Sequence, residues 1–248
     1  MSEEFERYKD SYRAKVEESI GFVHQDLDFF TEAKARHIVR LATTLLGDTG
    51  RLSVLDVGCG VGLTDSYLES RFGRLSGVDV SPGVIETAAR ANPWAEYATY
   101  DGRKLPYDDE CFDLTFAICV MHHVPTEFWL EFVAEMRRVT RPGGLVTIFE
   151  HNPLNPLTRV AVSRCEFDVG VTLLRLRTAR ELLRHNRMEP SAQSYILFFP
   201  WRVEALQRAE RALRGVPLGA QYFVAGRVEV AAPESAPGDR AGRSKSPA

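Results

Sequence analysis

The sequence predicts an α/β fold: a doubly wound, seven-stranded, mostly parallel sheet with an antiparallel closing strand and helices on both faces. Three observations point there. Strand-like and helical hydrophobic periods alternate from about residue 31 to residue 185, a glycine-rich turn follows the first strand, and the patterned region ends in two β-rich runs instead of another strand–helix unit. Alternation asks for a parallel sheet, because right-handed crossovers are the usual connection between parallel neighbours.

The elements follow in order. In TEAKARHIVRLATTLLG, apolar Ile38, Leu41, Ala42, Leu45 and Leu46 recur at helical spacing, and Gly47 is the expected stop. RLSVLDVG reads as a buried strand, followed by a short helix from about Leu63 to Phe72 and by the strand RLSGVDV. Ser81 as N-cap and Pro82 at the first helical position open the next helix. A short strand near Glu96–Tyr100, the buried strand FDLTFAICV, an amphipathic helix from Pro125 to Val139 and, after the turn RPGG, the strand GLVTIFE come next. The stretch HNPLNPLTRVAVSRCEFDVGVTLL is long for a connection, as lids and binding loops often are. A helix near Thr178–His185, opened by the capping-box pattern T-A-R-E, leads to SYILFFP and AQYFVAG, which flank a helical segment around Val203–Leu213 and suit an antiparallel pair. The apolar SYILFFPW segment is read as a buried closing strand rather than a membrane contact. From Ala231 the chain is rich in Ala, Pro, Gly and Ser with no bulky apolar residue, and is expected to be a disordered tail. The expected organisation is one domain over 1–230, with 1–47 as an N-terminal helical lid segment and 151–178 as a substrate-covering insertion, then the tail 231–248.

Composition excludes several classes of function. The 248 residues, 44% hydrophobic and 26% charged, suit one sizeable core. The 31 Lys and Arg against 34 Asp and Glu leave a formal charge of −3, with the cations spread along the chain, so no nucleic-acid partner is expected. The start MSEEFERYKDSYRAKVEE is polar, and no apolar run approaches bilayer length, so the reading is cytoplasmic with no membrane insertion. The 4 cysteines show no CxxC spacing, so neither disulfides nor a metal site is expected.

The chemistry begins at VLDVGCGVG, where Gly58, Gly60 and Gly62 let the backbone turn tightly and let a ligand come close. Dinucleotide enzymes favour G-x-G-x-x-G, but here the third glycine comes one residue early and Leu63 takes its place, which serves a pyrophosphate less well. Asp56 before the turn suits an ammonium group, or is a turn-bonding side chain. Asp79, at the end of the second strand, is placed to accept two ribose hydroxyls, with a surface turn aspartate as its other reading. Asp101-Gly102 follows the third strand, where Asp101 could accept from an adenine amino group with the Gly102 N–H facing a ring nitrogen; a plain turn is the other reading.

Together VLDVGCGVG, GVDVSPGVI, YDGRKLPYDDECFDLTFAICVMHHV and RPGG resemble the motifs of class I S-adenosylmethionine (SAM)-dependent methyltransferases, in the small-molecule and quinone-pathway branch (methyltransferase type 11-like), over roughly Tyr8 to Gly226. The resemblance implies a Rossmann-like domain with SAM as cofactor and S-adenosylhomocysteine as product. It implies that Gly58, Cys59 through its backbone, and Gly60 cradle SAM, that Asp79 and Val80 hold the ribose and adenine edge, that Asp101 and Gly102 recognise adenine, and that Ile118 lies beneath the cofactor. Tyr12 is a candidate for the cofactor carboxylate, with core packing as its other reading.

Methyl transfer needs an aligned nucleophile, and a base is needed only where the acceptor must lose a proton. His122 and His123 follow the fourth strand and His151 the fifth, at carboxyl ends of strands where open α/β sheets bind ligands, so they are the candidate bases; a hydrogen-bonded structural role is the other reading for each. The HNPLNP pattern resembles a subset of bacterial methyltransferases of polysaccharide or secondary metabolism, and a small-molecule acceptor with O-methylation is the expected activity. The alternatives are C- or N-methylation of a quinone-like acceptor, and a SAM-binding protein without catalysis. An NAD-dependent oxidoreductase is disfavoured by the glycine spacing. A homodimer is the assembly considered.

Overall fold

Seven strands form one sheet in the computed structural model, which describes residues 17–18, 21, 27–199, 201 and 203–230. They are β1 (Ser53–Val57), β2 (Arg74–Asp79), β3 (Glu96–Thr99), β4 (Phe112–Ile118), β5 (Thr140–His151), β6 (Met188–Ile196) and β7 (Gln221–Val228), in the spatial order β3-β2-β1-β4-β5-β7-β6. Strands β1 to β5 run parallel; β7 is antiparallel to both of its neighbours. The antiparallel strand therefore lies inside the sheet, and β6 forms the edge that AQYFVAG was expected to share. Tyr12 and the tail 231–248 lie outside the described residues.

The helices are α1 (Leu27–Leu45), α2 (Pro82–Ala91), α3 (Trp129–Val139), α4 (Pro156–Arg164), α5 (Leu176–His185) and α6 (Glu204–Leu213). Central strands alternate between two cores, as a pleated sheet covered on both faces must. Val54, Leu114, Phe116, Leu145 and Phe149 pack with Phe29, Ile38, Leu41 and Ala42 of α1. Leu55, Phe112, Val146 and Ile148 pack on the other face with Val133 and Met136 of α3 and Leu183 of α5. Gly47 ends α1 as expected, with φ +96° and its N–H on Ala42 O. Ser81 caps α2 by accepting from Val84 N.

Three local expectations give way. The segment 63–72 holds only a 3₁₀ turn, Asp65–Tyr67, because buried Asp65 is tied to the Tyr97 hydroxyl at 2.7 Å and Ser70 takes φ 58°. RPGG lies within β5 as a bulge: pairing with β4 steps from Thr140 opposite Phe112 directly to Leu145 opposite Leu114, and Gly143 takes φ +81°. The T-A-R-E box does not cap α5, which begins at Leu176 behind Arg175, so Thr178 already stands inside the first turn.

Candidate functional site

A cavity of about 680 Å³ opens at the carboxyl ends of the parallel strands, between α1 on one side and α4 on the other. That volume suits a cofactor with a small acceptor. Asp56, Gly58, Cys59, Gly60, Asp79, Val80, Asp101, Gly102, Ile118, His122, His123 and His151 all line it. The sheet thus brings the sequence-predicted site residues among those described to one place. The segment after β5 contributes Asn155, Leu157, Thr158, Val162, Phe167 and Asp168.

The glycine turn is built differently from a phosphate cradle. Gly58 N and Cys59 N both donate to Val78 O, at 2.8 and 3.0 Å, Gly60 N donates to Asp79 Oδ2 at 3.1 Å, and Gly62 N donates to Cys59 O at 3.1 Å. These four amides are spent inside the protein, so the turn does not offer them to a phosphate. A ligand cradled by the backbone of Gly58, Cys59 and Gly60 would therefore meet carbonyls and open space rather than these N–H groups. A Cβ on Gly58 would stand 2.5 Å from Val120 Cγ2, with φ at +77°, so only glycine fits there.

The acidic residues make the wall beside the turn. Asp56 is 2% exposed and Asp65 fully buried, and Oδ1 of each is buried with no N–H or O–H donor. Burial and the neighbouring Asp65 carboxyl push Asp56 well above the usual carboxylate range, while burial pushes Asp65 up to about 6. One proton shared between the two carboxyls supplies the missing donor and leaves one negative charge on the wall. Lys34, buried on α1, lines the same cavity, and its charge bears on Asp56, Cys119 and His151. Asp79 is fixed by Gly60 N on Oδ2 and Ser81 N on Oδ1, each at 3.1 Å, which leaves a lone pair on each oxygen for a diol. Asp101 Oδ1 accepts from Arg103 N and Lys104 N at 2.8 Å, the geometry of the turn reading; its other oxygen is outside that turn.

The three histidines cluster with two acids that the sequence reading missed, Glu150 and Asp168. Met121 N donates to Glu150 Oε1 at 2.8 Å and Trp129 Nε1 to Met121 O at 2.8 Å, which pins the 3₁₀ turn Met121–His123 against β5. His122 Nδ1 lies 2.7 Å from Glu150 Oε2. His122 Nε2 and His123 Nε2 each lie 3.4 Å from the same atom, Asp168 Oδ1. Burial works against a His122 cation, but Glu150 and Asp168 outweigh it and hold the imidazolium well above the ordinary histidine range. Burial and the His122 charge pull His123 and His151 down to about 4. Both ring nitrogens of His122 face carboxylates, which favours its hydrogen-bonded structural reading over that of a base toward an acceptor.

His151 has a different neighbour. Its Nδ1 lies 3.4 Å from the Gln221 carboxamide of β7, whose Oε1 is otherwise buried without a partner. Gln221 Nε2 faces that nitrogen, and only with the carboxamide turned over would its oxygen accept from His151 Nδ1–H and leave His151 Nε2 with its lone pair.

Part of the sequence and the fold resemble those of known methyltransferases. Residues 55–148 match the family model described as a methyltransferase domain. A phthiotriol/phenolphthiotriol dimycocerosates methyltransferase of Mycobacterium tuberculosis is 32% identical over 139 residues, 54% of this chain and 49% of that protein. A 2-methyl-6-phytyl-1,4-hydroquinone methyltransferase of Synechocystis is 31% identical over 104 residues, 40% of this chain and 32% of that protein. The chain thus spans half or less of the length of these curated relatives. Among solved structures, a SAM-dependent methyltransferase of Thermotoga maritima, described as a possible histamine N-methyltransferase, superposes with a TM-score of 0.64 at 16% identity, over 92% of this chain and 100% of that one, which shows a shared fold. No helix among the described residues is long and apolar enough to cross a membrane.

Proposed function

We propose that this chain, which carries a methyltransferase domain over residues 55–148, binds SAM in the cavity and methylates an oxygen of a small acceptor with an apolar body. One observation carries the reading: the amides of Gly58, Cys59, Gly60 and Gly62 are spent internally, while acid oxygens of Asp56, Asp79 and Asp101 line the same wall. Such a wall accepts hydrogen bonds from an ammonium, a ribose diol and an exocyclic amine, and gives an anionic pyrophosphate little to hold. SAM fits it residue by residue. The Asp56–Asp65 pair faces the ammonium, Asp79 the diol, and Asp101 with Gly102 the adenine edge beside Val80. Lys34 stands where a carboxylate can be met.

When bound, SAM supplies an electrophilic methyl group on a sulfonium: an O–C bond forms as the S–C bond breaks, and its electron pair stays on sulfur. The protein holds the acceptor in line for attack, between the apolar side chains of α4 and Phe132. His151 Nε2 receives the hydroxyl proton and passes it to solvent, while Glu150 and His122 keep the end of β5 rigid. Phe30, Phe128, Leu157, Phe167, Leu197 and Phe198 in the lining suit an apolar acceptor, in keeping with the lipid- and quinol-directed names of the two relatives.

Titration calorimetry against SAM, S-adenosylhomocysteine and NADH tests the cofactor. Micromolar binding of the first two without an NADH signal is expected; NADH binding alone overturns the proposal. A methyl-transfer screen of hydroxylated apolar acceptors then separates an enzyme from a SAM-binding protein without turnover.

A further inference from the structure

We infer that His122, His123 and Asp168 form a divalent metal site at the acceptor end of the cavity, set against the sequence-based expectation of none. His122 Nε2, His123 Nε2 and a carboxylate oxygen of Asp168 lie within 4.8 Å of one another. Two of these separations are 3.4 Å, from Asp168 Oδ1 to each imidazole nitrogen. A charge-assisted hydrogen bond would close to about 2.7–2.9 Å, as His122 Nδ1 does with Glu150 at 2.7 Å. Ligands bound at about 2.0–2.1 Å around a tetrahedral ion stand about 3.4 Å apart, the spacing of Asp168 from each of the two imidazoles.

The surroundings of His122 give the second, independent reason. A metal-bound histidine usually donates its other ring N–H to a carboxylate, which fixes the tautomer and turns the lone pair to the metal. Glu150 does this for His122 Nδ1, and Glu150 is itself anchored by Met121 N at 2.8 Å. Charge points the same way. Glu150 and Asp168 carry side chains only 0% and 9% exposed, so two negative charges sit in a nearly dry place. A His122 cation between them balances one and a divalent ion balances both; a buried charge without a counter-charge is costly. The ion takes the place of a second proton on His122.

Two imidazoles and one carboxylate suit zinc or another first-row divalent ion that keeps a coordination position for an exogenous ligand. All three residues line the cavity, so that position faces the acceptor. The class of acceptor this implies, one with a hydroxyl or enol oxygen able to bind the ion and lose its proton more readily, rests on the methyl-transfer reading above; the metal site does not.

The experiment uses the full chain stripped with a chelator, dialysed and titrated with cobalt(II) and zinc(II). One equivalent per chain is expected, with the visible d–d band of a four- or five-coordinate cobalt that zinc displaces. His123→Ala and Asp168→Asn should each weaken binding at least ~10-fold, and Glu150→Gln by roughly 10- to 100-fold, as loss of an orienting partner does. His185→Ala, at the far end of α5, should change nothing. A stripped wild-type chain that gives no such band, or titration curves unchanged in folded His123→Ala and Asp168→Asn, would overturn the site. SAM calorimetry on the stripped protein is read separately, so loss of the metal site and loss of the methyltransferase reading are distinguishable.

Discussion

Replacing Asp65 with Asn probes the buried carboxyl pair that faces the glycine turn. Burial lifts Asp65 from 3.8 to about 6, and Asp56 stands well above its ordinary value. A group whose folded pKa exceeds its unfolded one contributes stability that is complete below the unfolded value and is lost as pH rises through the folded value. For Asp65 that window runs from about pH 4 to somewhat above pH 6, so the wild-type fold weakens toward alkaline pH. Two pK units at about 1.4 kcal/mol each put the penalty at about 3 kcal/mol once the pair is ionised. The carboxamide of Asp65→Asn keeps an oxygen for the Tyr97 hydroxyl and brings an N–H for Asp56, so the penalty is relieved without a lost bond. For a domain of this size the melting temperature should then rise by roughly 6–12 °C at about pH 8, with the gap closing toward about pH 4. Thermal unfolding followed by circular dichroism across that range, at constant ionic strength, reads the effect. Parallel wild-type and variant curves at every pH would refute the shared proton.

Three further outcomes follow from the same wall. Asp79→Ala removes both anchors of the turn and the proposed diol contact; at about 1.5–3 kcal/mol per hydrogen bond to a charged group, SAM affinity should fall roughly 100-fold or more by calorimetry, with the fold retained. Lys34→Met should cost about 10- to 100-fold in affinity for SAM and almost nothing for its decarboxylated analogue, and equal losses for the two would place the SAM carboxylate elsewhere. Gly58→Ala should destabilise the domain by about 2–3 kcal/mol in urea unfolding, since its Cβ meets Val120 in a left-handed backbone; adding Val120→Ala should return the steric part and leave about 1 kcal/mol of strain.

The strands and their cores were legible because apolar runs such as FDLTFAICV and GLVTIFE have no place but the middle of a sheet covered on both faces. The acidic wall of the cavity was legible too, since Asp56, Asp79 and Asp101 each sit near a strand end marked by a glycine or a turn. Hidden were the parts that depend on distant segments meeting. Nothing local marks Glu150 as the partner of His122, or Asp168 as the acid reached by two histidines, because the pairings exist only once β4, β5 and the segment after α4 are docked. Lys34 had a signal that went unused: it falls in helical register with Leu27, Thr31, Ile38 and Leu41, and a cation within a buried stripe is seldom placed by packing alone. The absent helix over 63–72 was miscast for the opposite reason, its periodicity serving a buried carboxyl and not a helix face.

The interior position of β7 governs when this protein can become whole during synthesis. β7 must slide between β5 and β6, both synthesised before it, and only then does Gln221 reach His151. Until that moment β5 and β6 each present an unpaired edge to the surroundings, and the acceptor end of the cavity lacks a wall. A ribosome-bound chain that stops short of Gln221 would therefore be a sticky, incomplete intermediate, and the demand for chaperones should peak between the synthesis of β6 and that of β7.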